Sequence, residues 1–294
     1  LLPLQAYHAS DPSATWEPAI SKASHSIEYA RLRRVTGRHN PLLKELRRAF
    51  SKSELTPAGD CAIEGVRIVE EAIRSGLRFR ALFFSDSAIE RADRLLPQIA
   101  SHVETLLVPP KLFQSTVPSE TPQGVAALVH LKQFQIDELL SSPARGPLVA
   151  VSGLQDPGNL GSIVRSGEAF GASGVLLGEN TVSPYNSKVV RASAGSIFRV
   201  PMARYEFRSL LPALREHGLR LVGTSSHKGV PPNQAQFEGP TIIFIGSEGA
   251  GLPREVITNL DEVIAIPHSA RVESLNAGVA ASIVLYEAAR HRRG

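Results

Sequence analysis

The chain of 294 residues carries a single cysteine, Cys61. That count excludes an intramolecular disulfide and any zinc or iron–sulfur site built from several thiolates, and it gives no reason to look for an oxidising compartment. The cytoplasm is the default expectation. Long apolar runs are missing as well: the longest uncharged apolar stretch, Ala277 to Tyr286, is about half of the roughly 20 residues needed to cross a bilayer. Leu1–Glu17 lacks the charged-then-apolar pattern of a secretory signal, and residues 1–25 read as a flexible extension. No phosphate loop ending in Gly-Lys-Ser/Thr is present, which argues against a nucleotide hydrolase. Neither half has a Gly-x-Gly-x-x-Gly after its first strand, and no Gly-x-Ser-x-Gly elbow supports a serine hydrolase. The nine histidines, among them His102, His130, His217 and His268, fall at no metal-ligand spacing, so no metal is expected.

What is present suits a globular protein of one large or two medium domains: 43% apolar residues, 20% charged residues and breakers spread along the chain. Charge is uneven. The total is +4, yet Arg31, Arg33, Arg34, Arg38, Lys44, Arg47, Arg48 and Lys52 face only Glu45 within 22 residues, a local balance of +7 that leaves −3 elsewhere. A concentrated basic segment is the footprint expected for a polyanion, although a charge run alone fits a solvated helix face equally well.

Helical spacing runs from Ser26 to Phe50 with a break at Gly37–Pro41, where Asn40 caps and Pro41 starts a second segment. Ile63, Val66, Val69 and Ile73 recur at helical spacing up to Gly76. Apolar runs at Ala81–Phe84, Val103–Val108 and Val125–Val129 predict strands of a small α/β unit over 26–135. Residues 136–146 read as a linker, because Ser141–Pro147 is rich in breakers. Beyond it, strands predicted at Leu148–Ser152, Gly174–Leu177, Leu219–Gly223, Thr241–Gly246 and Val263–Ile266 alternate with helical segments near 158–170, 186–194, 206–217, 253–259 and 275–292. This alternation predicts a mostly parallel sheet with helices on both faces and ligands beyond the carboxyl ends of its strands.

Three loops stand at such ends. In the first, Asp156 and Pro157 start a helix that places Asn159, Ser162 and Arg165 on one face and Leu160, Ile163, Val164 and Gly167 on another. In the second, a buried strand runs into Gly246-Ser247-Glu248-Gly249-Ala250-Gly251. In the third, Ile266-Pro267 leads through a polar loop to Ser274-Leu275-Asn276, which opens a helix apolar almost all round, a pattern suggesting a second copy of the chain as its partner. Taken singly, each loop fits an ordinary turn as well as a site.

Together, in this order and with these strands before them, they resemble the three signature motifs of the SpoU family of RNA ribose 2′-O-methyltransferases, within the knotted SPOUT superfamily. Asn159-x-Gly161-x-Ile163-x-Arg165 is similar to the first motif and Gly246-x-Glu248-Gly249-x-Gly251-Leu252 to the second. Ile266-Pro267 with Ser274-Leu275-Asn276-Ala277 is similar to the third. The first half resembles the L30e-like substrate-binding domain of that family through Asn40–Lys44, Glu64–Val69 and Thr121–Val125. The resemblance implies an α/β trefoil-knot domain over 147–294, S-adenosyl-L-methionine as cofactor, RNA as substrate and a homodimer without metal. It places Thr224, Gly246, Ile266, Leu275 and Asn276 at the cofactor, and Arg165, Asn159, Glu248, Ser274 and Asn276 at the reaction. Arg31, Arg33, Arg34, Arg38, Lys44, Arg47 and Arg48 become the RNA-binding face.

Methyl transfer to a ribose hydroxyl needs alignment and stabilisation of the developing oxyanion. A guanidinium of pKa above about 12 is a poor base, so Arg165 is expected to hold a phosphate and the oxyanion rather than take the proton. Ribosomal RNA is the preferred substrate because the two-domain layout resembles members acting on it. Transfer RNA, a base methyltransferase on a similar scaffold, and an inactive RNA-binding assembly factor of the same fold are the alternatives.

Overall fold

Short apolar strands, separated by helices that each bury one stripe, build two sheets in a computed structural model that describes residues 31–35, 37–141 and 146–292. The expected extension over 1–25 and the beginning of the first expected helix lie outside the described residues. In chain order the elements of the first half are β1 (Leu32–Arg34), α1 (Pro41–Lys52), β2 (Asp60–Glu64), α2 (Val66–Arg74), β3 (Phe79–Ser85), α3 (Glu90–Leu95), β4 (Glu104–Val108), α4 (Pro110–Gln114) and β5 (Val125–His130). The second half comprises α5 (Ile136–Leu140), β6 (Leu148–Val151), α6 (Pro157–Ala169), β7 (Gly174–Leu177), α7 (Ser187–Ala192), β8 (Met202–Arg204), α8 (Phe207–Glu216), β9 (Arg220–Ser225), β10 (Thr241–Ile245), α9 (Arg254–Ile257), β11 (Glu262–Ala265) and α10 (Ala277–His291).

The first sheet has the order β1-β4-β3-β5-β2. It is mixed, because β5 runs antiparallel to both of its neighbours. Alternate residues sort its two faces: Ala81, Phe83 and Leu106 meet Leu43, Leu46 and Phe50 of α1 on one side. Leu82, Phe84 and Leu107 meet Ile68, Val69 and Ala72 of α2 on the other. Asn40 caps α1 as expected, its side chain accepting from the Leu43 N–H at 3.2 Å.

Two sequence-based helices need correction here. Leu32–Arg34 is a strand paired in parallel with Thr105–Leu107, since Leu32 and Val35 gain burial there that an isolated helix turn would not give them. Ile63 belongs to β2, and α2 begins only at Val66.

The second sheet has the order β11-β9-β10-β6-β7-β8 and is parallel throughout. Helices cover both faces, as predicted: α6 and α10 on one side, and α5, α8 and α9 on the other. The three-residue edge strand β8 was not legible in the sequence. Residues 136–140 are not a free linker, because α5 sinks Leu139 and Leu140 into the core of the second sheet. The segment after β9 lies across β11, where Val230 exchanges backbone hydrogen bonds with Val263 and Ala265 at 2.9 and 3.0 Å.

The halves share one continuous apolar cluster that reaches from Cys61 and Ile63 to Val149 and Val190. Polar contacts run along the same seam. The Arg199 guanidinium pairs with Glu168 and reaches Glu71 at 3.3 Å, and Ser183 Oγ donates to the Ser53 carbonyl at 2.5 Å. Burial raises the Glu64 carboxyl above its usual range, an effect opposed by a hydrogen bond from Ser119 and by the charge of Arg191.

Candidate active site

Every strand of the second sheet points its carboxyl end to the same edge, and the three loops singled out from the sequence meet there. Asp156 caps α6 by accepting from the Asn159 N–H at 2.8 Å, and Pro157 occupies the first turn. This fixes Asn159 one turn in, buried at 5% exposure. Its amide donates to Glu248 Oε1 at 2.5 Å. Asn276 caps α10 by accepting from the Val279 N–H at 3.2 Å, which orients its amide so that Nδ2 donates to the same Glu248 oxygen at 3.1 Å. One carboxylate oxygen thus ties all three loops together, and Glu248 Oε2 has no hydrogen-bond partner among the described residues. Charge-assisted bonds of this kind are stronger than neutral ones.

Beside this knot of side chains lies a cavity of about 500 Å³, lined by Thr224, Gly246, Ile266, Ser274 and Leu275 among others. Of the residues that the resemblance assigns to a cofactor, Thr224, Gly246, Ile266 and Leu275 line this cavity and Asn276 does not. Gly246 is required by space: a Cβ there would stand 2.3 Å from the Gly251 backbone, because the 247–251 loop folds back through paired hydrogen bonds between Ser247 and Gly251. Leu252, Ile257, Leu260 and Ile264 supply an apolar wall, and His227 and Lys228 stand at the rim. These were missed from the sequence. The apolar residues carry no signal beyond ordinary core pattern, and Lys228 is a lone cation in a loop. His268, read from spacing as a surface or core-edge residue, also faces the cavity, its Nδ1 held 2.7 Å from the Ile266 carbonyl.

Arg165 stands apart. It is exposed on α6, outside the cavity lining, and makes no side-chain hydrogen bond or ion pair among the described residues. The basic residues of the first half are likewise spread over several environments. Arg31 spends its guanidinium on the carbonyls of Leu96, Ile99 and Ala100. Arg33 pairs with Glu104 and Arg34 with Asp86, both at 3.1 Å. Arg47 is half-buried and reaches Thr116, whereas Arg38, Lys44 and Arg48 are exposed and make no ion pair among the described residues. Among the described residues no group of three metal-ligating side chains converges, and no helix is long and apolar enough to span a membrane.

Comparison with known proteins identifies the family. Residues 147–286 match the SpoU rRNA methylase family and residues 40–127 match the MRM3-like substrate-binding domain. A 23S rRNA (guanosine(2553)-2′-O)-methyltransferase of Bacillus subtilis is 28% identical over 263 residues, 90% of this chain and 100% of the relative. A 23S rRNA (uridine(2479)-2′-O)-methyltransferase of Streptomyces viridochromogenes is 31% identical over 269 residues, 88% of this chain and 93% of the relative. Among solved structures, the SpoU methyltransferase AviRb from S. viridochromogenes in complex with AdoMet superposes with a TM-score of 0.77 at 28% identity, covering 87% of this chain and 99% of that one. With its three motif loops joined at Glu248 and relatives matched almost end to end, the chain belongs to the SpoU rRNA methylase family.

Proposed function

We propose that the chain transfers a methyl group from S-adenosyl-L-methionine to a ribose 2′-hydroxyl of ribosomal RNA in the cytoplasm, acting as a homodimer. The convergence of Asn159, Glu248 and Asn276 on one point beside the cavity carries this reading. The cavity suits the methyl donor: its volume lies in the range of small-molecule sites, one wall is apolar enough for an adenine ring, and Lys228 at the rim offers a charge for a carboxylate. Gly246, Ile266 and Leu275 would hold the donor closely, with Thr224 beside them. Once bound, it supplies an electrophilic methyl group on a sulfonium.

The chain's own contribution is alignment. Glu248, held by two amides, keeps the loops in register, and Ser274 brings a hydroxyl to the same cavity. Arg165 retains its planar fork for phosphate and oxyanion. A second copy of the chain would cover its surroundings, because α10, which packs on α6, leaves Val279 and Tyr286 about half exposed. The first half, taken as 26–135, would present the RNA, with Arg38, Lys44 and Arg48 free for phosphates.

Deproteinised large-subunit RNA incubated with methyl-labelled donor tests the reading. Label is expected at one nucleotide whose 3′ linkage resists alkali. Label on a base, or none on RNA, would refute it. Arg165→Lys keeps the charge but loses the fork, so wild-type turnover in that variant would refute the bidentate role of Arg165.

A further inference from the structure

The carboxyl edge of the second sheet holds a second hollow of about 490 Å³, beyond the ends of β6, β7, β8 and β10. The 247–253 loop divides it from the first, and Ser247, Ala250, Gly251 and Leu252 face both sides. Sheet order explains the position. From β6 the strands proceed outward through β7 to β8, whereas β10, β9 and β11 lie on the other side. The reversal falls between β6 and β10, the kind of place where open parallel sheets form a ligand crevice.

Its lining is polar and lacks a free cation. Arg208 is held by Glu255 at 3.0 Å, and Glu206 accepts from Ser209. The Glu179 carboxylate and Asn180 amide stand exposed at the mouth and make no side-chain hydrogen bond or close ion pair among the described residues, although Glu179 lies within the field of Arg208. Deeper in, Tyr205 is 7% exposed, and its ring crosses so close to Gly178 that a Cβ there would lie 2.9 Å from it. The Tyr205 hydroxyl stands beside the Ser152 side chain without completing a hydrogen bond, and burial holds its pKa up, so that it remains a neutral donor. A buried hydroxyl left without a partner costs free energy that a ligand can recover.

Such a hollow repels phosphate and suits a flat, uncharged group with donors along one edge. We propose that it receives the base of the nucleotide whose ribose is methylated, and that Glu179, Asn180 and Tyr205 select guanine. This rests on reading the first cavity as the methyl-donor site. Guanine places two adjacent N–H groups opposite one carboxylate and leaves O6 to accept from an amide or hydroxyl; uracil has one ring N–H between two carbonyls. With the base on one side of the 247–253 loop and the methyl donor on the other, the ribose falls at that loop, which carries Glu248 on its donor side.

The test uses the full chain saturated with S-adenosylhomocysteine, probed by saturation-transfer NMR with guanosine and with uridine. It also uses methyl transfer to large-subunit RNA from cells lacking the gene. Guanosine is expected to give a signal and uridine none, with the guanosine signal lost in Glu179→Gln. In transfer, kcat/KM should fall roughly tenfold or more in Glu179→Gln and about threefold in Tyr205→Phe, because site groups built to pair with a base are left unpaired. Affinity for S-adenosylhomocysteine should stay as in the wild type. Wild-type kcat/KM in both variants, or a guanosine signal unchanged in Glu179→Gln, would overturn the proposal. Guanosine binding that depends on Glu179, in a wild-type protein that methylates no RNA, would instead overturn the ribosomal RNA reading and leave the base hollow standing.

Discussion

The two sheets are similar in size and differ in one reversed strand, but only the second brings distant loops together at its rim. In the first, β5 alone runs against its neighbours, so one strand of five sends its carboxyl end to the rim opposite the other four. Its charged side chains are spread over the surface, several in exposed ion pairs that contribute little stability. In the second, six parallel strands deliver every carboxyl end to one rim, and three loops far apart in sequence meet there within hydrogen-bonding distance. What sets the second half apart is that three loops meet at one carboxylate on its rim.

That contrast can be broken at several points. The largest effect is expected for Gly246→Ala. Its Cβ has no room against Gly251, so the loop must move, and donor affinity measured by calorimetry should fall by roughly two orders of magnitude while the first half stays folded. Glu248→Gln keeps the shape and removes the charge that gathers both amides. Methyl transfer should drop about 10- to 100-fold in kcat/KM with a smaller change in donor affinity. A variant equal to wild type would show that the shared carboxylate does not organise the rim.

Lys44→Ala with Arg48→Ala tests the platform. RNA affinity should weaken several-fold, and the slope of log affinity against log salt should become shallower by about 1.5. Donor affinity should not change, since both residues lie on α1, away from the cavity. Equal loss of both affinities would mean that the variant is misfolded.

The smallest effect concerns the seam. Hydrogen bonding from Arg199 lowers the Glu168 carboxyl pKa. Its contribution is therefore full above the ordinary glutamate value of 4.5 and is lost as pH falls through the lowered native value. Arg199→Ala should cost about 0.5–1 kcal/mol near neutrality, given the partial exposure of both partners. Urea titrations repeated in acid should find the gap between wild type and variant closing; a gap that widened would contradict the assignment.

Apart from α5 and β8, the main strands and helices of the second half were legible to within a residue or two, because short Val- and Ile-rich runs bounded by Gly and Pro leave few other structures open. The first half was harder. Leu32–Arg34 carries two arginines in three residues and reads as helix surface. It becomes a strand only because β4 offers an unpaired edge, a tertiary fact absent from local pattern. The motif residues announced the first cavity, but its apolar wall did not, since Leu252 or Leu260 looks like any core residue until neighbours from other loops arrive. The second hollow was invisible for a related reason: Glu179 and Tyr205 gain meaning only from the order of the strands that carry them. Spacing could put Asn159 and Arg165 on one helix face. It could not tell that the first would be buried against a carboxylate and the second left in solvent.

Cys61 is fully buried, and that burial, reinforced by the charge of Asp60, raises its thiol pKa to about 12. The folded protein thus comes without a reactive thiol, and no background substitution is needed before dyes or spin labels are attached. A cysteine engineered at an exposed position of α1 and another on the 247–253 loop would be the sole targets of a maleimide, and the distance between them could be followed as RNA is added.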